Sequence, residues 1–525
     1  MVCVGRKKMD INEFGRIVLQ GKPVSISGYA LSDVKRSYDF LRVFSKGKLI
    51  YGINTGFGPM AQYRIDDTDV RQLQYNLVRS HSSGMGRIFS PQYTRALMLA
   101  RLNTMLLGYS GIHPDAVKLL AALINNGAYP CIYSHGGVGA SGDLVQLAHL
   151  ALGMIGEGDF LYKEKKQPAK KVYSALKLEP LQIYIREGLS ILNGTSAMTG
   201  IGGINVIMAQ RLVLWSLLLS LMINEMMEAY NDSFSAELNN VKLHHGQAKI
   251  AAWMRALGAG SKLLRKRDEH LYDKKITEDI IDDKVQEYYS LRCVPQILGP
   301  VLDTVLQAQH VVENELNSVN DNPVVDYKNK NIFHGGNFHG DYVALEMDKL
   351  KLVVTKLSML AERQLNFLLN PHLNQKLPAF TNAGKLGLNF GMQGMQYPAT
   401  STVAENQALS TSLYIHSIPN NNDNQDIVSM GCNAAMICSQ VIENAHEVLA
   451  VELVALTQAI DIRNISGKLS PAGKWLYNNT RKLFPYFKED FAPSAKLQQV
   501  KKWLMETDIT EHFHKELNPE HGHAK

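Results

Sequence analysis

Residues 199–230 read TGIGGINVIMAQRLVLWSLLLSLMINEMMEAY, a stretch with no proline that is apolar on nearly every side. A helix of that kind has no solvent face and must be enclosed by other helices. Segments 301–319, 340–369 and 426–461 have similar length and character. Together they predict a mainly α protein built on a long-helix bundle. The longest apolar run, LVLWSLLLSLMI at 212–223, falls short of the roughly 20 residues of a membrane span and reads as a core helix. The N-terminal part is mixed, with shorter helical patterns (about 31–46, 93–108, 113–126 and 143–155) between Gly- and Ser-rich loops. We expect a loop-rich N-terminal domain over 1–195, and a long-helix bundle with a C-terminal helical region over 196–525.

Charge and cysteine content exclude several classes. The net charge is +6, but the basic clusters at 163–171 and 264–270 are short and lack interleaved aromatics. They read as solvated loops, so no nucleic-acid partner is expected. Cys3, Cys131, Cys293, Cys432 and Cys438 are an odd number without metal-ligand spacing, which fits a reducing cytoplasm. The N-terminus MVCVGRKKMD has no apolar signal region, and no membrane association is expected. His512, His514, His521 and His523 match no closed metal site and read as a solvated tail.

Two readings compete for residues 137–143. In Ala140-Ser141-Gly142 the Gly142 nitrogen is able to attack the Ala140 carbonyl. Loss of one water closes a five-membered ring, and loss of a second turns Ser141 into a dehydroalanine. The product, 4-methylideneimidazole-5-one, is an electrophile in a chain otherwise made of nucleophiles. Glycine suits ring closure because it has no Cβ and tolerates strained backbone. At average usage of roughly 7% per residue, the tripeptide arises by chance in about one chain in five of this length. The overlapping Gly137-Val138-Gly139-Ala140-Ser141-Gly142 matches the dinucleotide fingerprint. It has possible strands before it (AYPCIY) and after it (FLYKE, ending in Glu164), so an NAD-dependent oxidoreductase is a rival. That rival requires strand–helix–strand units, and the sequence shows no run of them.

Further polar loops interrupt the helices: YGINTGFG (51–58), LNGT (192–195), YSLRC-PQ (289–296), NDNP (320–323), GGNFHG (335–340) and NQD-VSMG (424–431). With GGVGASGDL-QLAH, seven such motifs in one order resemble the aromatic amino acid ammonia-lyase family, over about residues 45–465. That family includes histidine, phenylalanine and tyrosine ammonia-lyases and related aminomutases. The likeness is closest to bacterial tyrosine ammonia-lyases.

The resemblance implies a fold similar to the fumarase and aspartase bundles and a homotetramer with active sites shared between subunits. It implies that Ala140, Ser141 and Gly142 form the electrophile, with no external cofactor or metal. Tyr51 matches the general base, and Tyr289 a tyrosine near the prosthetic group. Arg292 matches the arginine that binds the substrate carboxylate, a task suited to a planar guanidinium. Asn193 matches the asparagine that hydrogen-bonds the ring and the substrate. Gln286, Asn322 and Phe338 match further polar and pocket residues.

Two positions bear on the substrate, a small-molecule aromatic amino acid. Ser80-His81 lies where phenylalanine enzymes usually place Phe-Leu, and a histidine pairs with a phenol. Ser-His also resembles histidine ammonia-lyases, but those resemble QED where this chain has Asn424-Gln425-Asp426. Gln425 lacks the negative charge that pairs an imidazole. The expectation is therefore conversion of L-tyrosine to trans-4-coumarate and ammonia. Histidine ammonia-lyase, giving urocanate, and an aromatic 2,3-aminomutase remain alternatives.

Overall fold

In a computed structural model, residues 1–273, 275, 279–281 and 284–518 are described. Three short helices flank the loops of the candidate site: α1 (Val70–His81), α2 (Leu144–Met154) and α3 (Glu187–Leu192). Four long ones follow, α4 (Ser196–Met227), α5 (Val294–Leu316), α6 (Asp341–Leu369) and α7 (Gly431–Ile462). The mainly helical expectation holds.

The chain divides into two compact units, each built from three stretches of sequence. The first comprises Met1–Ile207, Gln307–Lys349 and Ser412–Ser439; the second comprises Met208–Leu306, Leu350–Thr411 and Gln440–Lys525. In the first unit α1, α2 and α3 pack on one another. Helix α1 buries Gln74, Leu77 and Val78, a stripe at helical spacing. In the second unit Trp215 on α4 is fully enclosed, stacked on Trp475 and met at a tilt by Trp503, with its Nε1–H donated to the Leu504 carbonyl at 2.9 Å. Helix α4 is long and apolar enough to cross a membrane, yet 78% of its most apolar stretch is buried within the protein.

The strands overturn the dinucleotide reading. Tyr129–Pro130 and Asp159–Tyr162 both form, each carrying aromatic residues, but they pair antiparallel. Tyr133–His135 pairs antiparallel with Met85–Ile88. The fingerprint at Gly137–Gly142 thus opens no parallel strand–helix–strand unit, which a pyrophosphate site needs. One basic cluster also differs from expectation. Lys165–Pro168 is the second strand of a hairpin with Asp159–Tyr162, and Ala169–Leu176 is a helix.

Candidate functional site

The tripeptide is clamped from two sides in the first unit. On one side Gly142 pairs with Gly194, and Asp143 N donates to the Gly194 carbonyl at 2.8 Å. Gly142 has φ +72°, and a Cβ there would lie 2.0 Å from the Gly194 oxygen, so only glycine fits. Asn193, just past α3, donates Nδ2–H to the Ser141 carbonyl oxygen at 3.1 Å, while its own Oδ1 is buried without a partner. The fully buried Asp143 carboxylate accepts Ala197 N and Met198 N at 2.8 and 2.9 Å, at the start of α4. Burial pushes its pKa up to about 7 against those two donors.

The other side comes from near the end of the unit. Ser429 Oγ donates to the Gly139 carbonyl at 3.1 Å, Met430 N to the Val138 carbonyl at 3.0 Å, and Gly340 N to the Gly139 carbonyl at 3.1 Å. Gln425 Nε2 donates to Ser141 Oγ at 2.9 Å. Ala140 is buried and Ser141 half-buried.

Tyr51 stands in a loop held from below by Gln74 of α1. The Gln74 amide donates to the Gly52 carbonyl (3.1 Å) and accepts Leu189 N of α3 (2.9 Å), tying loop to helix. Tyr51 Oη accepts Gly58 N at 3.2 Å, and its ring meets Phe57 and His334 edge-on at centroid distances of 6.3 and 6.5 Å.

The NDNP loop is fixed by a buried ion cluster. Arg101 and Arg186 flank Asp321 at 3.8 and 3.9 Å, all three fully buried. Burial lowers both arginines, Arg101 to about 10, and raises Asp321; their opposite charges partly offset this. Arg186 also donates to the Pro323 and Asn322 carbonyls at 2.9 and 3.2 Å, and Arg101 to Asn320 Oδ1 at 3.2 Å. Asn322 Oδ1 accepts Gly335 N at 2.9 Å, joining this loop to the one that carries half-buried Phe338.

His81 ends α1, with Nδ1 3.0 Å from the Leu77 carbonyl and 3.0 Å from Ser80 Oγ. A carbonyl only accepts, so Nδ1 carries the hydrogen and Nε2 presents a lone pair. Burial lowers the His81 pKa, which keeps the ring neutral.

Gln286, Tyr289 and Arg292 belong to the second unit. Tyr289 is 70% exposed, and the Arg292 guanidinium lies 4.6 Å from its ring centroid. Their turn is pinned where Gln364 donates to the Ser290 carbonyl (2.7 Å) and Asn224 to the Leu291 carbonyl (3.2 Å). Arg292 Nε is buried without a partner, and Gln286 is exposed.

The residues around Ala140–Gly142 fit a ring made from that tripeptide. A side chain is sterically barred at the nucleophilic glycine, and an amide donor sits on the carbonyl that would become the ring ketone. Among the described residues no cluster of His, Cys, Asp and Glu able to hold a metal occurs. His512 packs on Trp475 at 4.8 Å; His521 and His523 lie outside the described residues.

The sequence matches the family model for aromatic amino acid lyases over residues 9–482. The chain belongs to the aromatic amino acid lyase family. Its relatives in that family differ in reaction. The MIO-dependent tyrosine 2,3-aminomutase of Streptomyces globisporus is 38% identical, covering 92% of this chain and 91% of its own. A solved tyrosine aminomutase from the same organism superimposes with a TM-score of 0.94 at 36% identity, covering 98% of both chains. The tyrosine ammonia-lyase of Cupriavidus metallidurans is 39% identical over 86% of each chain, and the histidine ammonia-lyase of Geobacillus thermodenitrificans 35% over 97% and 98%.

Several residues of this aromatic amino acid lyase were not singled out from sequence. Gln74 is the one polar side chain on the buried stripe of α1, a signal that was readable. Asp143 follows the tripeptide directly. The Arg101–Asp321–Arg186 cluster joins residues far apart in the chain and had no local signal.

Proposed function

We propose that the protein eliminates ammonia from L-tyrosine, giving trans-4-coumarate. The observation that carries the substrate choice is the His81 ring. Its Nδ1–H is held by the Leu77 carbonyl, so its Nε2 is an acceptor, matched to a phenol O–H. Phenylalanine would leave that acceptor unpaired. A histidine substrate would find Gln425 where a carboxylate is wanted.

A methylideneimidazolone formed from Ala140-Ser141-Gly142 supplies, when present, an electrophilic carbon able to capture the amine of the substrate. Asn193 polarises the carbonyl of Ser141. Tyr51 Oη is the base for the β-proton, and the Gly58 N–H donated to that oxygen fixes its position. Arg292 pairs with the substrate carboxylate through a planar fork, and Tyr289 orders that guanidinium by lying against it. In our reading Gln286, Tyr289 and Arg292 reach the site from a neighbouring subunit of a homotetramer. Asn322 and Phe338 line the pocket, and the enzyme works in the cytoplasm, where its five free thiols stay reduced.

A side-by-side assay with tyrosine, phenylalanine and histidine tests this. We expect near-UV absorbance of 4-coumarate from tyrosine. Urocanate from histidine with no product from tyrosine would overturn the substrate choice. The name of the Streptomyces globisporus relative supports a second reading, a 2,3-aminomutase, which β-tyrosine among the products would establish.

A further inference from the structure

Gln425 is seated where it acts on the prosthetic group before there is a substrate. Its Nε2–H points at Ser141 Oγ, 2.9 Å away, the oxygen that must leave if Ser141 is to become a dehydroalanine. The loop that presents it is unusual. Asn421, Asn422 and Asp423 are consecutive left-handed residues (φ +57°, +51° and +56°), and Asn420 and Gln425 close the turn with paired backbone bonds of 3.2 and 3.3 Å. Left-handed backbone is rare outside glycine, though Asn and Asp adopt it more readily than other residues. Four and five residues past Gln425, Ser429 Oγ and Met430 N hold the carbonyls of Gly139 and Val138, just before the tripeptide.

We propose that Gln425 is a catalytic residue of prosthetic-group formation, the hydrogen-bond donor to the departing hydroxyl of Ser141. The proposal rests on the reading that Ala140-Ser141-Gly142 cyclises. In the first stage Gly142 N bonds to the Ala140 carbonyl carbon. The Ala140 oxygen leaves as water with the hydrogens of Gly142 N and Ser141 N. In the second, the Ser141 Cα–H bond breaks and its electron pair forms the Cα–Cβ double bond. Oγ then departs with its own hydrogen and the Cα proton as the second water. Oγ gains negative charge as its bond to Cβ breaks, and a carboxamide N–H fixed on it stabilises that charge without giving up its proton. Asn193, on the Ser141 carbonyl, draws electrons from Cα in the same stage and eases loss of the Cα proton.

Intact-mass spectrometry of the full chain, sampled through expression, reads both stages. The wild type is expected to end two waters lighter than its sequence. Gln425→Met keeps the volume and removes the donor. It is expected to accumulate a species one water light and to lose the second water slower by on the order of 100-fold. Gln425→Asn sets the donor back by one methylene and is expected to slow the same stage. Thermal unfolding of each variant establishes that it is folded, and if the methionine variant is not, the asparagine variant decides. Loss of both waters at the wild-type rate in a folded variant overturns the proposal. A folded variant that retains both waters also overturns it, by moving Gln425 to ring closure. A wild-type chain of full sequence mass overturns the cyclisation reading itself, which separates the two failures.

Discussion

Asn193 Nδ2 lies 3.1 Å from the carbonyl oxygen of Ser141. Cyclisation leaves that oxygen in place as the ring ketone, conjugated with the methylidene carbon. A fixed donor there pulls electron density from the carbon that meets the amine. Asn193→Ala is expected to lower kcat with tyrosine by on the order of 100-fold, the usual loss for one such donor. Intact mass measured on the same sample separates slow turnover from a ring that never formed.

Gly142→Ala tests the geometry of closure. The new Cβ would sit 2.0 Å from the Gly194 oxygen, on backbone at φ +72°. The variant is expected to keep both waters in its mass. It should also lose about 1–3 kcal/mol of stability through left-handed strain, read by denaturant unfolding.

Asp321→Ala leaves two buried guanidinium groups without their carboxylate. Breaking a buried pair from one side costs about 3–5 kcal/mol. A matching fall in unfolding free energy is expected, with the NDNP loop and Asn322 loosened. A melting temperature equal to the wild type would show that the cluster contributes nothing.

His81→Phe removes the acceptor proposed to pair with a phenol. The ratio of kcat/KM for tyrosine over phenylalanine is expected to fall by on the order of 100-fold or more. An unchanged ratio would place ring recognition elsewhere.

Glu228 should govern part of the acid limb of stability. Burial raises its pKa, but Lys376, Arg463 and Arg265, at 2.9, 2.8 and 2.7 Å, pull it down to about 2. A depressed carboxyl stabilises the fold above its unfolded value of about 4.5, and that stability is lost as pH falls toward about 2. The carboxamide introduced by Glu228→Gln has no proton to bind in this range. Wild type and variant should therefore converge in unfolding free energy between pH 4.5 and 2.

Much of this was legible in the sequence because it is written locally. The all-round apolar pattern of 199–230 folds as Ser196–Met227, and 340–369 as Asp341–Leu369, since periodicity and the absence of proline decide a long helix by themselves. The tripeptide and the loops around it were legible as motifs. What escaped was set by partners distant in sequence. The strands around 129–162 were foreseeable, but not their antiparallel pairing, which removes the dinucleotide reading. Gln425 reads from sequence as a pocket residue. Its bond to Ser141 Oγ spans 284 positions, a partnership no local pattern announces even though the Asn- and Asp-rich run before it suits a left-handed turn.

The grip on Val138 and Gly139 has a consequence for the order of events in the cell. Residues 138–142 leave the ribosome long before Gly340, Ser429 and Met430, which hold those carbonyls from outside. A nascent chain that ends short of residue 429 carries every atom of the ring and lacks half of the mould that shapes it. A chain cut short of residue 429 is therefore expected to keep both waters in its mass.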